Sequence, residues 1–180
     1  EPMTALNPVK TIGDQVAETL LIHGKASRAE AHRIAAEKLT RVGLPPDRFP
    51  LSRFPHELSG GQRQRVAIAM AIALSPELLI ADEPTTALDV TTQAQILDLL
   101  NELVDESGMS LLLITHDLAV VAGMADQVAV MKEGEIVEAD ATEPLFRGMR
   151  HDYTKRLFAA TSHQPQRSPL PPDDVILDLA

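Results

Sequence analysis

Leu58 to Asp89 reads LSGGQRQRVAIAMAIALSPELLIADEPTTALD, and Leu111 to Asp117 reads LLLITHD. The glycines and serine of the first stretch run straight into an apolar segment, Gln62 to Leu74, that reads as a helix. Ser75-Pro76 closes it, because the residue before a proline is pushed out of helical geometry. The pattern then changes. Leu78-Leu79-Ile80-Ala81 and Leu111-Leu112-Leu113-Ile114 are short continuous apolar runs, the mark of strands buried on both faces of a parallel sheet. Between them Ile96, Leu99, Leu100, Leu103 and Val104 recur at helical spacing and form one apolar stripe able to cover such a sheet. Strand, helix, strand in this order is a crossover unit, so the fold class is α/β with a parallel sheet.

Upstream, EPMTALNP has the composition of a loop. TIGDQVAETLLIHG reads as a helix stopping near Gly24. Ser27 and Glu30 stand at capping-box spacing, so a second helix follows to about Val42, with Gly43 at its end. Pro45, Pro46, Pro50 and Pro55 then forbid regular structure. The first 55 residues are a small helical unit on a proline hinge. Downstream, a helix from Leu118 to about Ala125 leads to a hairpin, Val128–Met131 and Glu135–Glu138, turning at Glu133-Gly134. DYTKRLFAAT reads as a final short helix, SHQPQRSPLPPDD as a proline-rich linker, and VILDLA as a strand with no partner of its own.

Composition narrows the function classes. Across 180 residues, 16 Lys and Arg stand against 26 Asp and Glu, a formal net charge of −10. That balance opposes a sequence-independent grip on nucleic acid, which needs clustered positive charge. With no cysteine, disulfides and thiolate-held metals or clusters are excluded. The longest apolar run, VAIAMAIAL from Val66 to Leu74, is far short of the roughly 20 residues a membrane-spanning helix needs.

Chemistry collects at the ends of the two apolar strands. Asp82 and Glu83 follow the first and His116 follows the second. In an open α/β sheet, ligands sit beyond the carboxyl ends of the strands, so these three side chains should gather along one rim. A strand ending in Asp-Glu suits magnesium-nucleotide hydrolysis. The first carboxylate orients the metal's water shell, and the second polarises the attacking water near the γ-phosphate. A histidine from the adjacent strand can reach that phosphate. Taken singly, each has a plainer reading: Asp-Glu before Pro84 as a helix entrance or turn, His116 as a packing residue, Gly60-Gly61 as an ordinary turn. Their conjunction favours the site.

The two quoted stretches, in this order and spacing, resemble the ATP-binding cassette (ABC) family of ATPases. The resemblance runs to about Ser162. It implies a P-loop NTPase-like parallel sheet core with an inserted helical subdomain. Leu58–Gln62 would be the signature loop, Leu78–Asp82 the Walker B strand, Glu83 the catalytic glutamate, Ala87–Asp89 the D-loop and His116 the switch histidine. ATP and magnesium are the implied cofactors, with Asp82 holding Mg through water. In this family Ser59, Gly60, Gly61 and Gln62 clamp ATP bound to the facing subunit of a head-to-tail dimer, and Asp89 links the two sites. Free N–H groups and the positive end of the helix dipole suit that role. The implied partners are a second cassette and membrane permease subunits, without nucleic acid, at the cytoplasmic face of the cell membrane. EPMTALNP and HDYTKRLF resemble the branch serving di- and oligopeptide importers, and Thr86-Ala87-Leu88-Asp89 departs from the Asn-His-Leu-Asp of the translation-factor branch.

The expected organisation is a helical subdomain over 1–57, catalytic core over 58–138, a helical extension over 139–162, and a linker with the start of a second cassette over 163–180. A Walker A loop, G-x-x-x-x-G-K-[ST], is the expected phosphate cradle, and no stretch of the sequence matches it. Gly24-Lys25 is followed by Ala26, with Thr19 where the first glycine should stand. The resemblance places that loop and the Q-loop glutamine upstream of the helical subdomain, so the chain reads as a fragment that does not hydrolyse ATP alone. Two rival readings are an ABC ATPase acting on DNA or ribosomes and a non-catalytic dimerisation module. The acidic balance and the D-loop sequence speak against the first, and the presence of both Glu83 and His116 against the second.

Overall fold

The computed structural model describes residues 5–161. These form two compact units, divided between His116 and Asp117. The linker and the VILDLA strand lie outside the described residues.

In the first unit, helix α1 (Ile12–Ile22) begins where the Thr11 hydroxyl accepts the Asp14 N–H at 3.1 Å. Its buried stripe Ile12, Val16 and Leu20 follows helical periodicity. Gly24, at φ +60°, turns the chain out of it. Helix α2 (Arg28–Arg41) starts at Ser27, whose hydroxyl accepts the Glu30 N–H at 3.4 Å. Of the capping box expected there, this is the arm that forms. Ala31, Ala35 and Leu39 are buried, and the two alanines allow close approach to α1. A 3₁₀ turn at Pro55–Glu57 then precedes helix α3 (Gly60–Ala71).

Helix α3 starts two residues earlier than the sequence suggests. Ser59 and Gln62 make a full capping box: the Ser59 N–H donates to Gln62 Oε1 at 3.0 Å and the Gln62 N–H to Ser59 Oγ at 3.3 Å. The two glycines are therefore the first helical residues rather than a preceding loop. The helix also ends earlier, at Ala71. Tighter bonds from Ala73 to Met70 and from Ser75 to Ile72 wind the chain off before Pro76.

Strands β1 (Leu78–Asp82) and β2 (Ser110–Ile114) pair in parallel, Leu78 opposite Ser110 through Asp82 opposite Ile114. Helix α4 (Val90–Ser107) connects them, burying Ile96, Leu99, Leu100 and Leu103. Burial on both faces of these strands is not what the structure shows. Leu79 and Ala81 are buried, while Leu78, Ile80, Leu112 and Ile114 are 50%, 59%, 49% and 46% exposed. A continuous apolar run identifies a strand but cannot count the layers packed on it.

The second unit opens with helix α5 (Leu118–Met124), whose first N–H groups, of Ala119 and Val120, donate to Asp117. Strands β3 (Gln127–Lys132) and β4 (Glu135–Ala141) form the expected antiparallel hairpin. Glu133 and Gly134 both take positive φ, 51° and 85°, as a two-residue type I′ turn requires. Helix α6 (Thr142–Arg147) and helix α7 (Asp152–Thr161) follow, with Phe146 and Phe158 edge to face at 4.6 Å. Among the described residues no helix is long and apolar enough to cross a membrane.

Candidate functional site

The rim at the carboxyl ends of β1 and β2 is the candidate site. The Glu83 N–H donates to the Ile114 carbonyl at 2.9 Å, extending the ladder one step beyond Asp82. The backbone of Glu83 then turns into the left-handed region, φ +47°. A non-glycine residue there is costly unless its surroundings fix it, and they do so through the side chain. Glu83 Oε1 lies 2.8 Å from His116 Nδ1, and Oε2 accepts the Thr86 hydroxyl at 3.2 Å. The His116 bond, opposed in part by burial and reinforced by the charge of His116 and by Thr86, holds the Glu83 carboxyl below its ordinary value. Glu83 is therefore an ionised carboxylate, the form a proton acceptor needs.

Asp82, the last residue of β1, has an exposed side chain with no hydrogen bond or ion pair among the described residues, which leaves its oxygens available to a cation's water shell. Among the described residues no cluster of three or more His, Cys, Asp or Glu is placed to hold a metal. The structure thus brings Glu83 and His116 into contact, and Asp82 precedes Glu83 at the end of β1.

Ser59 caps α3 and Gly60, Gly61 and Gln62 open its first turn; the capping box closes the Ser59 and Gln62 N–H groups, which leaves those of Gly60 and Gly61 as the turn's open donors. Two stretches distant in sequence meet here. A Cβ on Gly61 would collide with the Thr92 methyl, and one on Gly60 would touch Leu88 at 3.4 Å. Gly61 is needed because the Thr92 methyl on α4 occupies the space its Cβ would take. Asp89 caps α4: its carboxylate accepts the Thr92 N–H at 3.0 Å and the Thr92 hydroxyl at 2.6 Å. That hydroxyl bond, with the Thr92 N–H behind it, lowers the Asp89 pKa. Gln93 Nε2 donates to the Thr85 carbonyl at 3.2 Å and ties the loop between Glu83 and Asp89 to α4. Gly24 ends a helix instead of opening one, so Gly24-Lys25 is no phosphate loop.

Thr86, Thr92 and Gln93 escaped the sequence reading. A signal existed for one of them: Asp89-Val90-Thr91-Thr92 has N-cap spacing before an apolar-periodic run. Thr86 and Gln93 act through a hydroxyl and an amide whose partners depend on how the loop folds back.

The ABC transporter family profile matches residues 3–86. A Brucella melitensis protein named "Putative peptide import ATP-binding protein" is 58% identical over 158 residues, covering 88% of this chain and 47% of its own length. The glutathione import ATP-binding protein GsiA of Escherichia coli is 54% identical over 160 residues, 89% of this chain and 26% of its own. The chain thus spans about half the length of the first relative and about a quarter of the second. Among solved structures, a dimeric post-hydrolysis state of the ATP-binding cassette MJ0796 bound to ADP and Pi superposes with a TM-score of 0.65 at 35% identity, covering 76% of this chain and 59% of that one.

Proposed function

We propose that the chain belongs to the ABC transporter family of ATP-binding proteins, whose profile matches residues 3–86, and that it forms part of an ATPase powering import of peptides or similar small solutes. The observation that carries this reading is the Glu83–His116 contact at the rim of a parallel strand pair, with Asp82 adjoining. Magnesium and ATP, when bound, supply a γ-phosphate open to attack by water and neutralise its charge. Asp82 holds the cation through water. Glu83 accepts the proton of the attacking water, and His116 leaves Glu83 to meet the γ-phosphate, which frees one carboxylate oxygen for that task. Ser59, Gly60, Gly61 and Gln62 close over ATP held by a second cassette, and Asp89 passes the state of one site to the other.

The partners in this reading are that second cassette, in head-to-tail arrangement, and membrane permease subunits. The protein works at the cytoplasmic face of the membrane. The names of the peptide and glutathione import relatives support the substrate class, and the dimeric cassette bound to ADP and Pi supports the paired arrangement. No residue here matches the G-x-x-x-x-G-K-[ST] cradle, so this chain contributes a lid and hydrolytic carboxylates while the triphosphate is held by sequence outside it.

Calorimetric titration with magnesium-ATP tests that division. We expect no saturable binding at micromolar nucleotide for the 180-residue chain and clear binding for the intact ATPase. Tight binding by the 180-residue chain alone would contradict it.

A further inference from the structure

The stretch His151–Phe158, HDYTKRLF, takes no part in the chemistry above. Its residues have distinct structural work. His151 stands at the start of α7, and its Nδ1 accepts the Tyr153 N–H at 3.1 Å, so that nitrogen carries no proton in this arrangement. The His151 carbonyl accepts the Lys155 N–H at 3.1 Å. Thr154 is completely buried, whereas Leu157 and Phe158 are only half-buried. Helix α7 is held by apolar contacts such as that of Phe158 with Phe146 and, at its first turn, by polar ones.

The polar contacts converge on one side chain of β4. Glu138 Oε1 accepts the Arg150 N–H at 2.8 Å, and Oε2 accepts the His151 N–H at 3.1 Å. The Thr154 hydroxyl lies beside the same carboxylate without completing a well-aligned hydrogen bond. The Arg150 guanidinium turns to Asp140 instead, at 3.2 Å. Two successive backbone N–H groups at the entrance to a helix are thus closed by an anion from a neighbouring strand, where the helix dipole also favours negative charge.

We propose that Glu138 is the receptor for the C-terminal arm: its carboxylate, closed on the Arg150 and His151 N–H groups, docks α7 on the β3–β4 hairpin, and its loss releases α7. The Thr154 hydroxyl and the Arg150 and His151 N–H groups hold the Glu138 carboxyl below its ordinary value, so the charge is in place at neutral pH. The His151 and Thr154 of the motif are then explained as the cap and the buried floor of a docking turn.

Hydrogen exchange on the full 180-residue chain tests this. In Glu138→Ala, amides from Arg150 to Leu157 should exchange on the order of tenfold faster, while the β3–β4 amides stay as protected as before. Arg150→Ala keeps its backbone N–H and should leave α7 docked. If Glu138→Ala loosens the hairpin as well, Glu138→Gln decides: faster exchange in α7 over an intact hairpin supports the assignment, and unchanged exchange overturns it. Release of α7 by Arg150→Ala to the same extent as by Glu138→Ala also overturns it, because the Arg150–Asp140 pair would then be the clasp.

Discussion

His116 Nδ1 and Glu83 Oε1 stand 2.8 Å apart at the ends of two parallel strands, although 33 residues separate them in the chain. The pairing register sets this distance. Asp82 lies opposite Ile114, so Glu83, one residue past Asp82, and His116, two past Ile114, leave the sheet along the same edge. The contact has consequences for stability as well as for chemistry.

The Glu83 carboxyl is lowered from 4.5, chiefly by the His116 bond. A depressed folded-state pKa stabilises the fold above the unfolded value, and the gain is lost as pH falls through the folded value. Urea denaturation of the chain should therefore show a small stability loss below about pH 4.5 that Glu83→Gln lacks. The His116 side chain is 82% exposed, which limits the effect to less than about 1 kcal/mol. Parallel pH profiles for the two proteins would remove the pair from the stability account.

Gly61→Ala should destabilise the chain by about 1–3 kcal/mol, because the new methyl meets the Thr92 methyl. In a Thr92→Ser background the obstructing methyl is gone, while the hydroxyl remains for Asp89. The same Gly61→Ala change should then be neutral or stabilising by up to about 1 kcal/mol, since alanine is the better helix former. Thermal unfolding of the four proteins measures the coupling. Additive effects would mean that Gly61 and Thr92 do not constrain each other.

Helix, strand and hairpin positions were legible because each rests on a local pattern. Ile96, Leu99, Leu100 and Leu103 carry a period that only a helix explains, and Glu133-Gly134 supplies the backbone a tight hairpin needs. The start of α3 was misplaced because Gly60-Gly61 looks like a turn until the reciprocal bonds of Ser59 and Gln62 are seen. The meeting of Glu83 and His116 at one rim could be read from strand ends alone. The approach of Gly61 to Thr92 could not, since it depends on how two helices pack across a long separation in the chain, and the hold of Thr86 on Glu83 could not, since it depends on the turn the loop takes after β1. Exposure of one face of β1 and β2 was equally hidden, because apolar residues on both faces read alike whether one or two layers cover them.

That face makes a further prediction. Leu78, Ile80, Leu112 and Ile114 form a contiguous exposed apolar surface on the strand pair, of the kind that drives association. Sedimentation velocity should show the 180-residue chain self-associating as its concentration rises, and Ile80→Glu should shift it toward monomer. A chain that stays monomeric at high concentration would show that this face is inert.

The most direct test of the account is single-turnover ATP hydrolysis by the intact ATPase carrying Glu83→Gln. Glutamine preserves the shape of the side chain but cannot take a proton from water. We expect the hydrolytic rate to fall on the order of 10²–10⁴-fold while ATP binding persists. A rate within a few-fold of the unmodified enzyme would contradict the assignment of Glu83 as the base and, with it, the reading of this strand-end rim as a hydrolytic site.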